Sequence, residues 1–111
     1  GAYSHYRIAL LVDAGSASAS EIVAGTMQDW GFMVVGKTTY GKGVGQSIIE
    51  LSDGSALRLT TFQFLTGNKK GVIGDKGVVP DYFATDTRKA HEDTATDKDA
   101  QFQKAKELLQ K

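Results

Sequence analysis

The chain has 111 residues, 41% of them hydrophobic and 23% charged, and its 13 basic and 13 acidic residues give a formal net charge of zero. That length fits one domain with a modest core, and the balanced charge favours neither nucleic acid nor insertion at an anionic membrane surface. Cysteine is absent, which excludes disulfides, thiolate metal sites and a cysteine nucleophile, and no apolar run approaches the ~20 residues of a membrane span.

Residues 8–12, from Ile8 to Val12, form a continuous apolar run that predicts a strand buried on both faces. Asp13, Ala14 and Gly15 then turn the chain into a helix expected over residues 19–30. Ile22, Val23, Met27 and Trp30 fall on one face of that helix, and Gly31 is its stop. Residues 32–35 read as a second buried strand, so the segment is a strand-helix-strand unit, which implies a parallel pair.

After Gly43 the rhythm changes. Residues 44–51 and 56–65 are two strand-like runs joined by Ser52-Asp53-Gly54-Ser55, a hairpin turn signal. Residues 67–70 read as a polar loop, and Gly77 to Asp81 as a short extended stretch ended by proline. Residues 85–99 are polar and charged, a surface linker, and Asp97 is placed to cap a final helix in which Phe102, Ala105, Leu108 and Leu109 share a face.

Two places carry chemistry. Ser18 lies where the first strand hands over to the first helix, where helix amides lack intrahelical acceptors and the dipole favours developing negative charge. The amide of Ala19 is positioned there to donate to an oxyanion. The bland alternative is a capping box, Ser18 with Glu21 three residues on, and Ser16 and Ser20 are rival nucleophiles by pattern. The two histidines, His5 and His91, read as surface residues, so a Ser-His-Asp triad is not expected.

Lys42, between Gly41 and Gly43, is the alternative base, with Gln46 four residues on to direct it. Burial would lower its pKa and supply the neutral amine that a base requires. The bland alternative is a lysine at a turn with its head in water. Gly36 to Gly43 also imitates a phosphate-binding loop, but Gly43 stands where a serine or threonine should hold magnesium, and a strand follows where a helix should open.

These residues resemble the C-terminal processing peptidases, also called tail-specific proteases. The resemblance runs from Gly15-Ser16-Ala17-Ser18-Ala19-Ser20-Glu21-Ile22 through Met27-Gln28-Asp29-Trp30-Gly31 and Val34-Val35-Gly36. It continues in Thr39-Tyr40-Gly41-Lys42-Gly43 with Gln46, in Leu51-Ser52-Asp53-Gly54-Ser55-Ala56-Leu57, and in Gly77-Val78-Val79-Pro80-Asp81. The chain departs by one residue fewer between Gly31 and Gly36, and by Tyr40 where phenylalanine is more usual.

The resemblance implies an α/β fold, the β/α spiral of the crotonase and ClpP type, with residues 1–84 a catalytic-core portion and 85–111 the linker and amphipathic helix. It makes Ser18 the nucleophile, Lys42 the general base, Gln46 the residue that orients it, and Ala19 an oxyanion-hole donor. The implied activity is that of a serine endopeptidase cleaving protein C-terminal regions or unfolded proteins through an acyl-enzyme, with protein or peptide substrates and no metal or organic cofactor. Its expected location is extracytoplasmic: periplasmic, cell-envelope or secreted. The residues before Ile8 supply neither a PDZ domain nor the upstream glycine-rich segment of the second oxyanion amide, so the expectation is an excised portion, weak or inactive alone. Exposed sheet edges would favour a homodimer. The competing reading is a non-catalytic homologue or interaction module.

Overall fold

A computed structural model describes residues 2–66, 74, 76–85 and 98–111. In chain order the elements are β1 (Ala9–Val12), α1 (Ala19–Asp29), β2 (Met33–Gly36), β3 (Val44–Glu50), β4 (Ala56–Gln63), β5 (Tyr82–Phe83) and α2 (Ala100–Leu109). β1, β2 and β5 form a parallel sheet in the order β1-β2-β5, while β3 and β4 form a separate antiparallel hairpin.

The strand-helix-strand unit is as the apolar runs predict, with Leu10 opposite Val34 and Val12 opposite Gly36. Its core is Val12, Ala24, Val34 and Val78, with Leu10 packed against them. α1 ends at Gly31, whose φ of 86° accommodates the left-handed turn. There the Gly31 amide donates to the Gln28 carbonyl at 3.0 Å and the Phe32 amide to the Met27 carbonyl at 3.0 Å, the paired bonds of a Schellman stop.

One expectation about burial fails. β1 is not buried on both faces: Leu11 is 39% exposed, because it sits in an open groove between β1 and α2. The apolar face of α1 is only partly covered: Ile22 and Met27 are half-buried and Val23 and Trp30 exposed, whereas Glu21, Ala24 and Gly25 are buried. Close approach decides this, since a Cβ on Gly25 would lie 2.5 Å from Thr66 Cγ2. Only small residues fit where the chain crosses α1 so tightly.

Beyond the hairpin, the Gly77–Asp81 stretch is irregular and leads into β5, a strand the sequence pattern did not announce, which pairs with Val35 and Gly36. Asp81 ties the layers together. Its Oδ2 accepts from the Val34 amide and its Oδ1 from Gln28 Nε2, both at 2.9 Å. α2 packs on β1 and β2, with buried Gln101 donating to the Ala84 carbonyl at 3.1 Å. Its cap is Asp99, which accepts from the Gln101 and Phe102 amides. Asp97, expected in that role, lies outside the described residues, as do the polar loop at 67–70, His91 and most of the 85–99 linker. His5 is exposed. Among the described residues no helix is long and apolar enough to cross a membrane.

Candidate active site

The turn from β1 into α1 separates the three serines. Asp13 builds an Asx-type turn, its Oδ1 accepting from the amides of Gly15 and Ser16 at 2.9 Å. The Ser16 hydroxyl donates to the same oxygen at 3.2 Å and accepts from the Asp13 amide at 3.1 Å, so it is committed to the turn. Ser20 is exposed within the first turn of α1. Ser18 differs from both. It adopts φ 56° and ψ −116°, and among the described residues it alone is a non-glycine residue at positive φ. A conformation of this kind costs about 1–3 kcal/mol and persists only where its surroundings enforce it.

Those surroundings form a capping box with unequal halves. Glu21 Oε2 accepts from the Ser18 amide at 2.9 Å. The Glu21 amide goes to the Ser18 carbonyl oxygen at 2.9 Å, and the Ser18 hydroxyl makes no capping hydrogen bond. The hydroxyl faces that amide in the capping-box arrangement without a hydrogen bond to hold it. The Ser20, Glu21 and Ile22 amides are taken by the Ala17 and Ser18 carbonyls, whereas none of these turn hydrogen bonds engages the Ala19 amide. Ala19 N–H is thus the open donor beside Ser18.

Glu21 is the residue that sequence reasoning missed in its larger role. Its side chain is fully buried. Besides Ser18 it accepts from Thr39 Oγ1 at 2.5 Å, from the Gly41 amide at 2.6 Å and from the Lys42 amide at 2.8 Å. Burial opposes its ionisation, but the hydrogen bonds from Thr39, Gly41, Ser18 and Lys42 outweigh it and hold the carboxyl below its ordinary value. The Ser-x-x-Glu spacing could have suggested the cap. Nothing local could have suggested the other three donors. The loop before Lys42 is held further by the Tyr40 amide donating to the Ser16 carbonyl, and by Thr39 exchanging bonds with Val78.

Ser18, Lys42 and Gln46 line one cleft of about 330 Å³, walled on its apolar side by Ile48, Phe62 and Phe64. The expectation of a buried lysine fails: Lys42 is exposed, on a loop whose backbone is held by Glu21 while its side chain lines the open cleft. Nor is Gln46 bonded to Lys42. Its Nε2 points across the hairpin to Thr60 Oγ1 at 3.5 Å, next to the irregularity that shifts the β3–β4 register between Gly45 and Gln46. The loop from Gly36 to Gly43 leads into β3 rather than a helix, so it lacks the amide-lined helix mouth that phosphate would need.

A parallel β-α-β unit with a serine at positive φ at its turn thus shares one cleft with a lysine on the loop that leads into the β3–β4 hairpin. The model of Peptidase family S41 matches residues 2–84, and the chain belongs to that family. It is 42% identical over 86 residues to the carboxy-terminal processing protease CtpB of Bacillus subtilis, covering 71% of this chain and 18% of that relative. It is 37% identical over 103 residues to the carboxyl-terminal-processing protease of Synechocystis sp., covering 92% of this chain and 24% of the relative. Among solved structures, the photosystem II D1 C-terminal processing protease superposes with a TM-score of 0.67 at 37% identity, over 72% of this chain and 21% of that one. The chain thus spans about a fifth of the length of these relatives.

Proposed function

We propose that this chain is the catalytic-core portion of a serine endopeptidase that cleaves C-terminal regions or unfolded stretches of proteins. The observation that carries the reading is Ser18: held at positive φ, with no capping hydrogen bond on its hydroxyl, it lies on the same cleft as Lys42. Neutral Lys42 takes the proton as Ser18 Oγ attacks a peptide carbonyl carbon, and the Ala19 amide donates to the oxyanion. The lysine then protonates the leaving amine, and water activated by the same amine releases the acyl group. Gln46 would have to turn from Thr60, its partner here, to orient the lysine through its side-chain carbonyl. No metal or organic cofactor enters these steps.

A lysine with an ordinary pKa of about 10.4 costs about 4 kcal/mol to deprotonate near pH 7.4. Lys42 is exposed here, so substrate and the remainder of the peptidase have to exclude water from it. The remainder would also supply a second oxyanion donor, and one such donor is worth about 10²–10³ in turnover. The chain alone is therefore weak or inactive in this reading. Its fold is a portion of the crotonase and ClpP type of spiral, its location extracytoplasmic, and its substrate a protein chain. The exposed β3–β4 hairpin would also let two copies associate through strand edges.

The test is intact-mass analysis after treatment with a fluorophosphonate serine probe. A single adduct that disappears in Ser18→Ala and Lys42→Ala supports the dyad. No adduct, both on this folded chain and on a longer protein that contains it, would overturn it in favour of a non-catalytic homologue. That second reading draws on the exposed Lys42 and on the Gln46 contact to Thr60.

A further inference from the structure

The carboxylate of Glu21 is fully buried, yet the chemistry proposed above makes no use of it. A plain helix cap would need only the Ser18 amide. Glu21 instead collects four donors from two segments. Oε1 takes the Thr39 hydroxyl and the Gly41 amide, and Oε2 takes the amides of Ser18 and Lys42 at 2.9 and 2.8 Å. One oxygen atom therefore sits between the backbone of the serine and the backbone of the lysine. The two amide nitrogens can be no further apart than those two bonds allow.

We propose that Glu21 is a positioning residue that fixes the Ser18 turn and the Lys42 loop relative to each other. It touches neither substrate nor reacting atoms. Its significance for catalysis rests on the Ser18–Lys42 reading, but the coupling of the two segments does not. The chemistry demands an ionised carboxylate, because every partner is a donor and only an acceptor with two oxygens satisfies all four. Glutamine would turn an NH2 group towards one pair of donors. Aspartate, one methylene shorter, would not span from α1 to both segments. The contact to Ser18 also enforces its positive φ, since the same oxygen that holds the Lys42 amide holds the Ser18 amide. Three backbone amides and one hydroxyl are the donors, and these hydrogen bonds hold the carboxylate ionised against its burial.

The experiment compares assigned amide spectra of the chain at neutral pH for the native sequence, Glu21→Gln and Thr39→Val. In Glu21→Gln the amide protons of Ser18, Gly41 and Lys42 are expected to move upfield together, while those of β1 and β2 stay in place. Movement confined to Ser18 would reduce Glu21 to a helix cap and overturn the proposal. Should Glu21→Gln fail to fold, Thr39→Val removes one donor to Glu21 and keeps the carboxylate, at the cost of the Val78 amide's acceptor. The Gly41 and Ser18 amides then shift together if the segments are coupled, and an unmoved Ser18 overturns the proposal. A parallel fluorophosphonate reaction is expected to slow at least tenfold at Ser18 in Glu21→Gln, and a rate equal to the native one also overturns it. If the native chain takes no probe, the reaction is run on the longer protein that contains it, where no adduct overturns the dyad reading, and the spectra still decide the coupling.

Discussion

Replacing Gly36 with alanine probes the seam between β1 and β2 more sharply than any core truncation. Gly36 ends β2 at φ 137°, directly across from Val12 in the parallel register. A Cβ there would lie 1.8 Å from the Val12 carbonyl oxygen and 2.9 Å from its carbon, with Gln101 Nε2 at 3.2 Å behind it. Backbone meets Cβ in this contact, so no rotamer change relieves it. A side chain in that backbone region costs about 1–3 kcal/mol, and forcing packed elements apart adds about 1–3 kcal/mol. The expected loss is about 2–6 kcal/mol, against a total stability of about 5–15 kcal/mol for an ordinary domain. Gly31→Ala is the control: its φ of 86° carries the conformational penalty, but nothing lies within 4 Å of the added carbon. Urea unfolding followed by circular dichroism reads the difference. With a slope of about 1–3 kcal/mol/M, the Gly36→Ala midpoint should fall on the order of 1 M below that of Gly31→Ala, or the chain should not fold. Equal midpoints for the two variants would refute the close approach and, with it, the β1–β2 register.

Asp81→Ala should destabilise by about 1–3 kcal/mol, because it leaves the amide of fully buried Val34 without its acceptor. An unchanged urea midpoint would mean that the Asp81 clamp on Val34 and Gln28 carries no stability. Glu21, whose carboxyl is held below its ordinary value, gives a pH dependence of definite sign. Its contribution is complete above the unfolded value of about 4.3 and is lost as pH falls through the lowered folded value, where the unfolded chain binds the extra proton. Melting temperature measured from pH 7 downwards should fall in that acid window, and the Glu21→Gln curve should be flatter there. Parallel curves for the two proteins would contradict the assignment.

Much of this architecture was legible because its causes are local. The apolar runs around Leu10 and Val34 and the Gly31 stop are short-range signals, and the strand-helix-strand unit followed them. The Ser52–Ser55 turn likewise delivered the β3–β4 hairpin. Periodicity found the apolar face of α1 but not the tight crossing at Gly25, because it ranks residues by hydrophobicity whereas the contact with Thr66 selects for size. β5 escaped notice because two residues carry no alternation to detect. At the site, the position of Ser18 and the presence of Lys42 were readable, and so was the family resemblance. The exposure of Lys42 and the Thr60 contact of Gln46 were not, since both depend on how the hairpin stands beside the cleft.

The sequence by itself determined the order of the first four strands and the two helices, the serine at the mouth of α1 and the membership of a peptidase family. Those properties need only neighbours in the chain or a motif read along it. Tertiary structure alone decided that Ser18 shares a cleft with Lys42, and it gave Glu21 its partners. Asp13 binds Ser16 from within the same turn, but Thr39, Gly41 and Lys42 reach Glu21 from a loop beyond an entire strand. A buried carboxylate is stable only where enough donors converge on it, and that convergence is set by the path of the chain in space.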